Sequence, residues 1–181
     1  NGAECEPYIT VDRMSMMAHS RDMIEGCRSV IRWLGLERCV IAIGSDMEDA
    51  LALMRKDAEG EPRISIREIK QRYPMGEERM LCRVALGKEV PGGKRPEDIG
   101  VLVSNISTVL KLQQYLNTGM PMTTRSITVD GNAIKRPMNV EAPIGCLISE
   151  IIEFCGGEKE NAPIAKIIAG GPIKGRPLPG S

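Results

Sequence analysis

The chain has 181 residues and 42% hydrophobic content, enough to fill the core of one domain or of a domain with a small companion. Its 24 basic and 24 acidic residues cancel and the pI is near 6.8, so the basic footprint that nucleic acid or an anionic membrane surface requires is missing. Aromatics make up only 3% against 11 methionines, which argues against base-stacking platforms and predicts an aliphatic, Met-filled core.

In chain order, "NGAECEPY" (1–8) reads as the exit of a strand followed by a loop, since Gly2 and Pro7 interrupt any period. It has no initiator Met, and the chain is expected to be a fragment of something longer. From Ser20, Met23, Ile24, Cys27, Val30, Ile31 and Leu34 recur at helical spacing, with Ser20 as cap and Gly35 as left-handed stop. "ERCVIAIG" is a short apolar run typical of a strand covered on both faces. Ser45 and Glu48 stand in capping-box spacing ahead of a second helix carrying Leu51, Met54 and Ala58, and "RISIREI" follows as a strand.

After a turn at Pro74 and Gly76, a helix begins with two glutamates in its first turn. "DIGVLVSNIST" is expected as another buried strand and "VLKLQQYLNTG" as the helix after it. Alternating strands and helices predict an α/β fold with a parallel sheet and right-handed crossovers. A break near residue 119 then separates "RSITVDGNAI", a strand into a D-G turn, from what precedes it. A second extended piece at 139–143, a helix in "CLISEIIEFCGG" and a strand in "AKIIAGG" suggest a small β-grasp-like unit. The expected division is 1–119, 120–172 and a Gly/Pro-rich linker at 173–181.

Six cysteines at 5, 27, 39, 82, 146 and 155 contain no C-x-x-C pair, which fits reduced intracellular thiols and gives no metal spacing. No apolar run reaches bilayer-spanning length, so direct membrane insertion is not expected. Three turns carry candidate chemistry. Asn1, Glu4 and Glu6 lie just past a strand, where ligands of parallel sheets bind; a structural turn capping backbone donors is the alternative. Tyr73, Gly76, Glu77 and Glu78 offer close backbone approach and acceptors for ribityl or ribose hydroxyls, or simply a charged helix start. Ser104, Asn105 and Thr108 occupy a strand-to-helix turn suited to phosphate, although an N-cap explains Asn105 equally well. Convergence of the three on one crevice is the expectation that unites them. His19, the sole histidine, precedes a helix as a capping or surface residue, and Gly92, Gly93, Lys94 and Arg95 read as a solvated loop.

Taken together, "NGAECEPYITVD", "YPMGEERML", "GKEVPGG", "DIGVLVSNISTV" and "IAGGPIKG" resemble the C subunit of the Rnf electron-transport complex, a family related to the flavin-bearing, NADH-oxidising subunit of respiratory complex I. The resemblance covers nearly the whole chain. It implies a Rossmann-like FMN and NADH domain followed by a β-grasp domain of the soluble-ligand-binding type. It further implies that Asn1, Ala3 and Glu4 face the flavin and Glu6 the nicotinamide site. Tyr73, Gly76, Glu77 and Glu78 would border the isoalloxazine ring and nucleotide, and Ser104, Asn105 and Thr108 the ribityl phosphate. Ala3 and Ser104 depart from the Asp and Asn of complex I relatives.

Family members also carry a Gly-rich loop ahead of this turn and four-iron iron-sulfur clusters after the β-grasp unit. By resemblance, then, NADH delivers hydride to FMN, and no side chain acts as acid or base. The partners implied are other subunits of a membrane ion-translocating NADH:ferredoxin oxidoreductase, at the cytoplasmic face of the cell membrane. Cobalamin reductases and the electron-transfer partner of proline reductase share these motifs, and a non-catalytic scaffold is the reading from a different class.

Overall fold

The structure is a computed structural model in which residues 1–178 are described. The chain divides into two compact units, the first made of Asn1–Cys5 and Asp12–Pro121, the second of Glu6–Val11 and the chain from Met122 onward. The second unit thus reclaims a piece of the opening segment, which the expected cut at 119 does not provide for.

In the first unit, β1 (Cys39–Gly44) pairs in parallel with β2 (Ile64–Ile69), with Cys39 opposite Ile64 and Gly44 opposite Ile69. Gly2 adds an isolated parallel bridge to Ile43 on the other edge of β1. One face of β1 presents Ile41 and Ile43 to Met16, Met23, Ile24, Cys27 and Ile31 of α1 (Val11–Trp33), Ala50, Leu51 and Met54 of α2 (Glu48–Asp57), and Ile106, Val109 and Leu110 of α4 (Ile106–Thr118). The opposite face presents Ala42 and Ile69 to Leu81 and Ala85 of α3 (Glu78–Leu86) and to Ala3. Helices therefore cover both faces, which is why β1 reads as an unbroken apolar run. The Met-filled core expected from composition is present, with Met16, Met23 and Met54 fully buried. Gly26 lets α1 and α4 close up, because a Cβ there would stand 2.8 Å from both Val109 Cγ1 and its carbonyl oxygen.

Several local expectations change. The first helix runs back to Val11 with a kink at His19, so Ser20 lies inside it, donating to Asp57 Oδ2 at 2.5 Å rather than capping. His19 is accordingly an internal residue of the kinked helix. The N-cap of α2 is Met47, and Ser45 instead accepts a hydrogen bond from the Gln71 amide at 3.2 Å. The expected strand at 98–108 becomes a 3-10 helix (Pro96–Ile99) followed by an extended stretch, 101–105. That stretch belongs to no named strand, because among the described residues its only ladder-like partner is Asn1.

The second unit contains the antiparallel pair β3 (Thr124–Val129) and β4 (Met138–Pro143), joined through the D-G turn, then α5 (Ile148–Phe154). Short β5 (Ile168–Ala169) pairs with β6 (Arg176–Pro177). Residues 173–178, read from sequence as linker, thus include the return strand of a hairpin, while 179–181 lie outside the described residues. The architecture is mixed α/β with small sheets.

Candidate functional site

At the C-terminal end of β1 and β2, the first unit gathers the three turns through one residue. Asn1 N donates to Ser104 O at 2.7 Å, Asn1 Nδ2 donates to Gly76 O at 3.0 Å, and Asn1 O accepts from the Ile106 amide at 2.8 Å. Its Oδ1 folds back to accept from the Ala3 amide at 3.1 Å, the local turn that Asn favours. The segments around residues 1–4, 76 and 104–106 therefore meet at one rim.

Gly76 is required there by the protein's own backbone. A Cβ at this position would approach Ala3 O to 2.7 Å and Cys5 Sγ to 3.0 Å. The close approach expected of this glycine is thus made to the opening turn. Gln71, absent from the sequence-based candidates, ties the same turn down by donating from Nε2 to Glu4 O at 2.5 Å. Its Oε1 is buried and has no hydrogen-bond partner among the described residues. Gly44 makes room for that side chain, since a Cβ would meet Gln71 Oε1 at 2.6 Å.

Glu4 is buried, and its two oxygens accept from the Asp12 amide at 2.7 Å and the Arg13 amide at 3.2 Å, capping the start of α1. Burial pushes its carboxyl up to about 7 and the neighbouring Asp12 carboxylate adds to the rise, while the two amide hydrogen bonds oppose it. Glu77 is the N-cap of α3, its Oε2 accepting from the Arg79 and Met80 amides at 3.1 Å each. Asn105 is the N-cap of α4, its Oδ1 accepting from the Ser107 amide at 2.8 Å. The Ile106, Thr108 and Val109 amides bond to Asn1 O and Asn105 O, so the first turn of α4 keeps no free amide for a phosphate. For Glu4, Glu77 and Asn105 the capping alternative is the arrangement found.

Asp12 is a further residue that sequence reading missed. Its Oδ2 accepts from Asn105 Nδ2 at 2.7 Å and its Oδ1 from Ser107 Oγ at 2.6 Å, fastening the start of α1 to the start of α4. An acidic residue just inside a helix start was the available signal, obscured by expecting the helix to begin after a cap at Ser20. Glu78, Tyr73 and Thr108 are exposed, and Ser104 is half-buried. Glu6 belongs to the second unit, where its carboxylate accepts from the Ile173 amide at 2.9 Å and the Lys174 amide at 3.0 Å, bracing the β5–β6 hairpin. Among the described residues no group of three or more His, Cys, Asp or Glu side chains has the arrangement of a metal site.

Comparison with known proteins bears on what such a rim serves. Residues 1–114 match the family described as the Nuo51 FMN-binding domain, and residues 126–177 match the SLBB domain. The C subunit of the proton-translocating ferredoxin:NAD(+) oxidoreductase complex of Clostridium ljungdahlii is 38% identical over 97% of this chain and 38% of its own length. The Na(+)-translocating counterpart from Acetobacterium woodii is 34% identical over 97% of this chain and 39% of its own. The C subunit of the ion-translocating oxidoreductase complex of Cronobacter sakazakii is 37% identical over 99% of this chain and 23% of its own. The chain thus spans well under half the length of these relatives.

Proposed function

Because the chain belongs to the Nuo51 FMN-binding family and carries an SLBB domain after that region, we propose that it is the flavin-holding part of an Rnf-type C subunit, binding FMN at the rim organised by Asn1. In this reading the first unit is a Rossmann-like parallel-sheet domain and the second a β-grasp domain. The observation that carries it is Asn1 bonding to both Gly76 and Ser104, because parallel sheets bind ligands at the carboxyl ends of their strands.

The residues present fit a hydroxyl-bearing, flat cofactor. Gln71 Oε1 is a buried acceptor without a donor among the described residues, suited to a ring N–H or a ribityl hydroxyl. Ser104 and Thr108 offer hydroxyls, and exposed Glu78 offers a carboxylate to a ribose. Asn1, Ala3, Glu4, Glu77 and Asn105 shape the rim by holding backbone, and Tyr73 and Gly76 form the wall beside it. Burial raises the Glu4 carboxyl to about 7, and its oxygens stay on the Asp12 and Arg13 amides, so its role at the rim is to hold backbone. FMN bound there would supply the chemistry of accepting hydride from NADH and releasing electrons singly.

In this reading the electrons pass on to four-iron iron-sulfur clusters. The chain's partners are the other subunits of a membrane-associated complex at the cytoplasmic face. No helix among the described residues is long and apolar enough to cross a membrane.

Titration of FMN with the chain, read by flavin fluorescence quenching, tests the assignment. Saturable quenching is expected, weakened roughly tenfold or more in Gly76→Ala because the Ala3 carbonyl must move. Equal affinity in both proteins, or no saturable uptake by either, overturns it.

A further inference from the structure

The cysteines of this chain carry free thiols, and the fold brings two of them together. Cys27, in the second half of α1, is buried in the core of the first unit, and Cys39, at the start of β1, packs against the same cluster. Side chains alternate along a strand, so Cys39 shares its face with Ile41 and Ile43, the face that α1 covers. The Cys27 side chain hydrogen-bonds that of Cys39, and both residues line one cavity of about 390 Å³. Cys82 lines it too, but from α3, whose Leu81 and Ala85 pack on the opposite face of β1.

We propose that Cys27 and Cys39 form a reversible dithiol–disulfide pair, oxidised by hydroperoxides, whose closure clamps α1 to β1. A strand rises about 3.3 Å per residue, so Cys39 lies roughly 16 Å from Gly44 at the rim end of β1. The pair is therefore a site separate from the rim, and the proposal does not depend on what binds there.

The order of events follows from the two environments. Cys39 is half-buried and comes directly after the exposed residues Glu37 and Arg38, whereas Cys27 is closed in. The hydrogen bond from Cys27 holds the Cys39 thiol below its ordinary value against the effect of burial, and the same bond, together with burial, pushes the Cys27 thiol up. Cys39 is thus the thiolate that meets the oxidant, and Cys27 the thiol that resolves it.

In the first step Cys39 Sγ attacks one peroxide oxygen and the O–O bond breaks. The departing oxygen takes up a proton, and Cys39 is left as a sulfenic acid. In the second step Cys27 Sγ bonds to Cys39 Sγ, the S–O bond breaks, and the hydroxide leaves as water with the Cys27 proton. The two thiols together lose two electrons and two protons, which reduce one hydrogen peroxide to two waters. A low-molecular-weight thiol reverses the step by attacking the disulfide.

To test this, the reduced 181-residue chain is treated with hydrogen peroxide, blocked with an alkylating reagent and digested with trypsin without reduction. The expected product is peptide 22–28 joined to peptide 39–55, lighter than their sum by two hydrogens and separated by dithiothreitol. In Cys27→Ala the reaction should stop at the Cys39 sulfenic acid, trapped by dimedone, and in Cys39→Ser the Cys27 thiol should stay unmodified. Iodoacetamide should label Cys39 at least about tenfold faster than Cys27 in the reduced chain. The oxidised chain should unfold at a higher urea concentration than the reduced one, because the bond closes a loop of about a dozen residues. Cys27 and Cys39 carried separately to sulfinic or sulfonic acid, joined to other cysteines in a mixed pattern, or left as thiols by peroxide that oxidises free glutathione, overturn the proposal. A joined pair whose unfolding midpoint is no higher than that of the reduced chain overturns the clamp.

Discussion

Glu4 carries two opposing demands at the scale of a single residue. Its oxygens cap α1 through the Asp12 and Arg13 amides, which favours the carboxylate, while burial and the Asp12 charge favour the acid, and burial is the larger influence. A carboxyl whose pKa is raised from 4.5 to about 7 on folding binds its proton more tightly in the folded chain. The stabilisation this gives is complete below pH 4.5 and is lost as pH climbs through about 7. Between those limits the native protein should lose on the order of 3 kcal/mol from this residue. Glu4→Gln stays neutral throughout, so urea unfolding at a series of pH values should show that part of the slope flattened. A slope identical to that of the native protein would assign the pH dependence to other groups.

Helix starts govern the next scale. Three of them, those of α1, α3 and α4, are closed by Glu4, Glu77 and Asn105, residues expected to face a ligand. An acceptor at a strand-to-helix turn serves a helix and a cofactor by the same chemistry, so composition alone leaves the two uses open. Position separates them, because the first-turn amides of α4 are already taken by Asn1 and Asn105.

Asp12 joins α1 to α4 through Asn105 and Ser107, which makes a pairwise prediction. Asn105→Ala should cost about 1–2 kcal/mol by removing the cap. In a double-mutant cycle with Asp12→Ala, measured by denaturant unfolding, the two changes should be non-additive by about 1 kcal/mol. Additive losses would mean the tie contributes nothing beyond the cap.

For the whole molecule, equal numbers of acidic and basic residues and a pI near 6.8 leave almost no net charge at neutral pH. Colloidal repulsion is then weakest, and light scattering should show a solubility minimum close to pH 7, recovering on either side. Solubility unchanged from pH 5 to pH 9 would point to a different control of association.

Much of the architecture was determined by the sequence alone. The run Cys39–Gly44, the alternation through Ile64–Ile69, the D-G turn after Val129 and the helix at 148–154 each carry a local period or a turn residue strong enough to specify them. The meeting of the turns near residues 1, 76 and 104 was also foreseeable, since right-handed crossovers bring strand exits to one edge.

Tertiary structure decided what no window of sequence contains: that Gly76 yields to the Ala3 carbonyl, that Gln71 and Asp12 fasten the rim, and that Glu6 serves the second unit. It also decided that the stretch 101–105, apolar enough to be a strand, belongs to no named strand among the described residues. The reason is common to all four. A residue's propensity resides in its own side chain and backbone, whereas a hydrogen-bond partner or a steric limit is supplied by groups dozens of residues away.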